Sequence, residues 1–388
     1  MKSNYRSVYT AFDPYPSFKG SSIHIEKMTN VLSNHYGKTL LLSLERQTYR
    51  NRNKNIKHLT FKTEKNNFLE RGLAYASWVE KLLAQQYQLE IGHFRDIWGG
   101  LPILKYPHMT SVFEVNGFPS VELLDRYSAI PSSTLHKFKE LENHCLQECD
   151  AIICPSETIK HHIINRGINS NKIEIVPNGA TPVTFSKKRV SPYGEYIVYF
   201  GALQPWQGIT ILLKAMQYLA DMPSLKLVIC SSHKEKHSRI YQKIARKLDV
   251  AEQIVWKHKT PKEELFQIIH HAKASIVPLT ECDRNLEQGC SPLKIFESMA
   301  CQAPIIASDL PVVREILTPD LDAKLIRAER PAELARAIRL LIDYPDYGKQ
   351  LATNAHQKFI ENYTWEKITK KYNEFYTKSF TFEKITLV

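Results

Sequence analysis

The segment VPLTECDRNLEQGCSPLKIFESMACQAPIIASDLPVVREIL, residues 277–317, decides how this chain is read. It opens on a short apolar strand, runs through a polar loop, enters a helix at Pro292 and ends in a second apolar strand at 304–307. Apolar strands joined by a helix predict a parallel sheet with both faces covered. Proline suits the first helical position, because its missing N–H is one the helix would leave unpaired. Amides around Cys290, Ser291, Leu293 and Lys294 then point along the helix dipole, an arrangement that suits a phosphate or diphosphate. Gly289 admits close backbone approach. Lys294 adds a cation, and Glu297, one turn further on, is suited to accept hydrogen bonds from hydroxyls such as those of a ribose. The pattern alone fits equally well a helix whose Lys294 and Glu297 are solvated surface residues.

The alternation extends outward from this segment. Upstream of it, strands are expected at 196–200, 225–230, 254–256 and 274–277, with helices at 209–220, 235–248 and 261–271, and a helix at 331–342 follows it. Nearer the N-terminus, strands are expected at 7–12, 38–44, 89–94, 110–115, 151–154 and 172–176, with helical patterns between them. The first helix, 21–36, should end at Gly37 as at a C′ glycine. Near 180–195 turn formers and charge replace the period, which marks an inter-domain linker. The fold class is therefore α/β, with two Rossmann-like doubly wound units, 1–185 and 190–363. Ligands of such sheets sit outside the carboxyl ends of the strands, so two facing units would hold a substrate in the cleft between them.

Composition narrows the function. The 388 residues are 43% hydrophobic and 24% charged, enough for more than one core and far from a disordered composition. No stretch approaches the roughly 18–20 apolar residues of a spanning helix, and Arg6, Asp13 and Pro14 interrupt any secretory region, so a cytoplasmic location is expected. The seven cysteines form no C-x-x-C pair and are read as reduced and mostly buried. No H-x-x-x-H cluster and no D-x-D pair following a cleft strand offers a metal site. The net charge of +12 would attract nucleic acid, anionic lipid or phosphate, but the cations are scattered among acidic neighbours, and no nucleic-acid-binding module appears.

With these residues in view, residues 277–317 resemble the donor-binding signature of glycosyltransferase family 4, the retaining GT-B enzymes, in the bacterial polysaccharide-type subgroup that reads S-P-L-K-x-F-E-x-M-A. The likeness continues in order through IGHFRDIWGG (91–100), CDAIICPSE (149–157), IEIVPNGA (173–180) and YFGALQPWQGITILLKAM (199–216). YTWEKI (363–368) resembles the start of a closing helix, about 364–388, that packs back on the first domain.

The resemblance implies a metal-independent retaining transferase that needs no cofactor. It would move a sugar, with glucose from UDP-glucose as the leading expectation, to a saccharide or lipid-linked acceptor in polysaccharide or glycolipid biosynthesis. Glu297 matches the second of two family glutamates and would bind ribose; the first falls at Gly289 and is missing. The family's diphosphate-neutralising arginine and lysine fall at Ala202 and Gln207. Arg284 and Lys294 are the cations expected to replace them, with Gly20 closing over the phosphates and Gly201 and Gln207 on the donor side. By similarity His93 lies beside the transferred sugar, Ser231 and Lys259 lie near the nucleobase, and Arg95, Asp96 and Asn116 lie on the acceptor side. Glu114 reads as an end-of-strand surface charge and His24 as core. Arg46, Tyr49, Arg50, Arg52 and Lys54 would permit peripheral contact with an anionic membrane, although a solvated loop accounts for them as well. The departures at Gly289, Ala202 and Gln207 leave open a protein that binds nucleotide-sugar without catalysis, as a sensor or complex subunit.

Overall fold

The computed structural model describes residues 5–17, 20–45, 53–86, 88–127, 129–185 and 193–379. The chain divides into two compact units, Met1–Pro177 with Ile368–Val388 and Asn178–Lys367.

The first unit is built on a parallel sheet of seven strands: β1 (Ser7–Pro14), β2 (Thr39–Leu44), β3 (Ile56–Phe61), β4 (Ile91–Phe94), β5 (Thr110–Glu114), β6 (Ala151–Cys154) and β7 (Ile173–Ile175), in the order β3-β2-β1-β4-β5-β6-β7. β2 is buried at every position, as a strand covered on both faces must be. Helix Gly20–Tyr36 ends at Gly37, whose φ of +77° and N–H bond to the Ser33 carbonyl (3.0 Å) make the expected glycine stop. β3 has no apolar run or alternation to mark it, because Lys57, His58 and Thr60 stand among its apolar residues and only Ile56 is buried.

The second unit repeats the plan with β8 (Tyr196–Gly201), β9 (Lys226–Ser231), β10 (Ile254–His258), β11 (Ala274–Val277), β12 (Ile305–Ser308) and β13 (Lys324–Ile326), ordered β10-β9-β8-β11-β12-β13 and parallel throughout. Each sheet reverses direction once, between β1 and β4 and between β8 and β11, and these are the switch points where such sheets bind ligands. The three-residue β13 and the helix Pro345–Asn362 were not expected.

The division of the chain falls at Pro177, ahead of the expected linker at 180–195. Ala180 is buried and exchanges backbone bonds with Tyr363 (3.0 Å) and Trp365 (2.9 Å), which holds this stretch within the second unit. Residues 186–192 of that linker lie outside the described residues. The closing helix is Trp365–Ser379, of which Tyr372 and Tyr376 are buried in the first unit; 380–388 lie outside the described residues. All seven cysteines are free, and only Cys282 is partly exposed.

Candidate active site

At the switch point of the second unit the loops after β8 and β11 are bound to each other. Gly208, with φ +69°, carries no side chain because a Cβ there would lie 1.7 Å from the Pro278 carbonyl oxygen. Buried Asn285 donates through Nδ2 to the carbonyls of Trp206 (3.1 Å) and Thr280 (2.9 Å), and the Thr280 N–H donates to Trp206 (3.2 Å). Asn285 and Trp206 went unnoticed in the sequence because nothing in their local pattern shows that two distant loops meet there.

The polar loop that was expected as irregular contains a π-helical turn, Arg284–Gln288, closed by Gly289 at φ +88°, ψ 168°. Pro292 has extended backbone and caps the helix Leu293–Ala300; it is not the first helical residue as expected. The Ile295 N–H donates to the Pro292 carbonyl (3.0 Å), while the Leu293 and Lys294 amides lack acceptors inside the helix. Behind the cap, Asn178 Nδ2 donates to the Ser291 carbonyl (2.9 Å) and fixes the approach to the helix.

Lys294 is buried, with Nζ 2.5 Å from Gln207 Oε1 and 4.1 Å from the centre of the Tyr199 ring. Gly201 lies beside it, and there the φ of +122° rather than space calls for glycine, since a Cβ would stand in ordinary contact 3.8 Å from Nζ. Burial pushes the Lys294 ammonium down to about 7, against the opposing pull of Cys290 and Glu297. Arg284 lies over Trp206, 4.9 Å from the ring centre, and reaches Asn285 Oδ1 at 3.2 Å. Glu297 is half-buried and its carboxyl is pushed up to about 7 by loss of water, which Lys262 and Lys294 offset only in part. Its carboxylate makes no hydrogen bond or ion pair among the described residues. Cys290 and Leu293 flank the cap, Cys290 buried and Leu293 half-buried.

The ends of the neighbouring strands join the same edge. The Ser232 N–H donates to Gly201 (2.9 Å), and the Lys259 N–H, at a strained φ of +52°, donates to Ser231 (2.8 Å). The buried Ser231 hydroxyl accepts from the His233 N–H (3.0 Å). The structure thus gathers Gly201, Gln207, Ser231, Lys259, Arg284, Gly289, Cys290, Ser291, Leu293, Lys294 and Glu297 along the carboxyl edge of one sheet.

The first unit corrects several expectations. Glu114 is not a surface charge: it is buried at the end of β5. Its Oε1 takes His24 Nε2 (2.9 Å), Arg95 Nη1 (3.2 Å) and Asn116 Nδ2 (2.6 Å), and its Oε2 takes the Tyr9 hydroxyl (2.8 Å) and His93 Nε2 (3.0 Å). Burial opposes its charge, yet Arg95 and His24 hold the carboxyl well below its ordinary range.

The His93 side chain, expected beside a sugar, is fully buried, with Nδ1 bonded to the Tyr376 hydroxyl of the closing helix. Desolvation lowers its pKa, so the neutral ring donates from Nε2 to Glu114 and accepts at Nδ1. Arg95 and Asn116, expected on the acceptor side, are engaged by Glu114. Asp96 caps the helix Ile97–Ile103 by accepting from Gly99 (2.9 Å) and also accepts from Phe12 (2.6 Å), with its pKa raised to about 6 by burial. Gly20, expected in the loop ahead of a helix at 21–36, is itself the first residue of the helix after β1.

Of the basic segment, Arg46, Tyr49, Arg50 and Arg52 lie outside the described residues. Among the described residues no group of three or more histidine, cysteine, aspartate or glutamate side chains could hold a metal ion, and no helix is long and apolar enough to cross a membrane.

Two successive parallel-sheet α/β units fit the GT-B class, and comparison with known proteins agrees. Residues 19–182 match the family described as Glycosyltransferase Family 4, and residues 183–358 match Glycosyl transferases group 1. The two matches together run from residue 19 to residue 358, so the chain carries two consecutive glycosyltransferase domains of the family 4 type. The O-antigen chain mannosyltransferase RfbU of Salmonella typhimurium is 24% identical over 191 residues, 48% of this chain and 51% of that protein. The MMP alpha-(1->4)-mannosyltransferase of Mycolicibacterium hassiacum is 21% identical over 62% of this chain and 57% of its own. These alignments therefore span little more than half the length of the curated relatives. Among solved structures, sucrose-phosphate synthase from Thermosynechococcus elongatus superposes with a TM-score of 0.78 at 16% identity, covering 97% of this chain and 99% of that one. HepE of Anabaena in complex with UDP and glucose gives 0.71 at 12% identity, covering 96% and 100%.

Proposed function

We propose that the protein is a retaining glycosyltransferase that takes a sugar from a nucleotide-sugar donor, UDP-glucose foremost, and passes it to a saccharide or lipid-linked acceptor in polysaccharide or glycolipid assembly. One observation carries the reading. Lys294, Arg284 and the partnerless carboxylate of Glu297 share the carboxyl edge at a switch point, beside a capped helix start. That combination fits a nucleoside diphosphate: cations and amides for the phosphates, a carboxylate for ribose hydroxyls. Complexes of HepE with UDP-glucose support a UDP-sugar, and names such as the O-antigen chain mannosyltransferase support a polysaccharide-type product.

The chemistry required of the chain is positioning and charge stabilisation. As the glycosidic bond to phosphate breaks, negative charge grows on the diphosphate oxygen. Lys294 and Arg284 answer it in place of the family cations missing at Ala202 and Gln207. Gln207 serves a different end, holding Lys294 Nζ in place. The acceptor hydroxyl enters on the face the diphosphate leaves and gives its proton to the departing oxygen, so the anomeric configuration is kept. The His93 ring is enclosed by Glu114 and Tyr376, so a part for His93 beside the sugar falls to its main-chain carbonyl and not to the imidazole.

Screening glucose and mannose nucleotides by thermal shift, followed by NMR of the product anomer, tests this. A stabilising nucleotide-sugar and a retained anomer are expected; an inverted anomer refutes the mechanism. UDP binding with no UDP released, with or without acceptors, would instead leave a binding protein. Replacing Arg284 or Lys294 by alanine should lower turnover by roughly 10²–10³-fold, and unchanged rates in both remove the assignment.

A further inference from the structure

The second unit carries a concentrated basic face on residues not assigned above. Residues 233–247, HKEKHSRIYQKIARK, hold six lysines and arginines against one glutamate. The helix Arg239–Lys247 divides this charge cleanly. Ala245 is buried, and Tyr241 and Ile244 pack against the core of the unit, while Arg239, Lys243, Arg246 and Lys247 are exposed. Positions 239, 243 and 246 follow the i, i+4, i+7 spacing of one face, and 240, 243 and 247 fall beside them. None of these cations makes an ion pair among the described residues. In their midst Ile240 is 63% exposed, the most exposed of the large hydrophobic side chains among the described residues.

We propose that this face docks the protein on an anionic lipid bilayer. Charge complementarity selects a polyanionic partner, and the isoleucine selects lipid. A helix with cations surrounding an exposed aliphatic side chain lies in the interfacial plane, the apolar group entering the headgroup boundary and the lysine and arginine stems reaching back to lipid phosphates. A nucleic acid would gain nothing from Ile240, and the one aromatic residue of the helix, Tyr241, is turned toward the core, so the charged helix itself presents no ring for base stacking. The screening length is about 8 Å at physiological salt, and cations one helical turn apart stand about 5–6 Å from each other, so neighbouring cations of this face act together. The inference is independent of the transferase reading, because a binding protein with the same helix would dock equally.

Co-sedimentation of the full chain with vesicles of phosphatidylglycerol and phosphatidylcholine, against phosphatidylcholine alone, tests it at physiological salt. The native protein should bind the anionic vesicles and not the neutral ones. Lys243→Glu with Lys247→Glu should weaken binding at least about 25-fold, taking a factor of about 5 for each lost cation. Ile240→Ser should weaken vesicle binding while leaving binding to heparin unchanged. All three positions are exposed, and unchanged thermal melting verifies the fold of the variants. Absence of vesicle binding overturns the proposal, as does equal binding by the double variant. So does loss of binding on reversing Arg50 and Arg52 while the helix variant binds normally. An Ile240→Ser protein that holds vesicles as well as the native one, with duplex RNA displacing both, would make the face a general polyanion site and also overturn it.

Discussion

Replacing Lys294 by methionine tests the donor site through a quantity that a merely structural lysine would not move. Its pKa falls from 10.5 to about 7, chiefly through burial, which corresponds to about 5 kcal/mol against the charged form. A diphosphate beside Nζ supplies the missing counter-charge and returns the group to its protonated state. At pH 8 the free site holds the proton about one-tenth of the time, so nucleotide binding should take up about 0.9 proton per UDP. Glu297, with its carboxyl at about 7, is mostly ionised at pH 8 and adds little. Near pH 6 the balance reverses: Lys294 is already charged, Glu297 is mostly protonated, and pairing its carboxylate with ribose hydroxyls releases a proton. Isothermal titration of UDP in buffers of different ionisation enthalpy reads both signs. Lys294→Met should abolish the uptake at pH 8 and weaken UDP binding by roughly 10–100-fold, the loss of a charged hydrogen bond.

The unliganded protein should respond in the opposite sense. The folded pKa lies below the unfolded one, so the unfolded chain binds more protons between about 7 and 10.5, and stability rises with pH across that window. The variant should lose that slope and gain up to about 4 kcal/mol at pH 7. Native protein that takes up no proton at pH 8, or a variant that still does, refutes the reasoning.

Glu297→Gln should remove the proton release near pH 6 and reduce the preference for UDP over its 2′,3′-dideoxy analogue by about tenfold, measured by competition titration. Glu114→Ala leaves Arg95, His24 and His93 buried without their carboxylate and should cost about 3–5 kcal/mol by urea unfolding. Because the folded pKa of Glu114 is depressed, its contribution is complete above the unfolded carboxylate value and is lost only as pH falls through the lower folded one. Gly208→Ala should destabilise by at least about 2 kcal/mol, since the added Cβ meets both a positive φ and the Pro278 carbonyl; an unchanged melting temperature would contradict the close approach of the two loops.

Much of the candidate site was legible because its determinants are local. Period, proline and glycine marked the strands and the helix at 293–300, and the Lys294–Glu297 spacing of one turn needs no tertiary knowledge. Short or mixed elements escaped for the same reason: β3 and β13 offer too few apolar positions for a period to emerge. Glu114 was misread because a lone carboxylate at a strand end looks alike in sequence whether water or arginine surrounds it.

By itself the sequence determined the class of the fold, the two sheets and the helix start that suits a phosphate, because each follows from side chains within a few residues of one another. Only the tertiary structure decided which polar groups are spent on the fold. His93 meets Tyr376 across 283 residues, and Tyr9 meets Glu114 across 105. It likewise set the charge state of Lys294, since the removal of water that lowers its pKa depends on Tyr199 and Gln207 arriving from another strand and loop. Burial is a property of what surrounds a group, and those surroundings are assembled from parts of the chain that no local pattern connects.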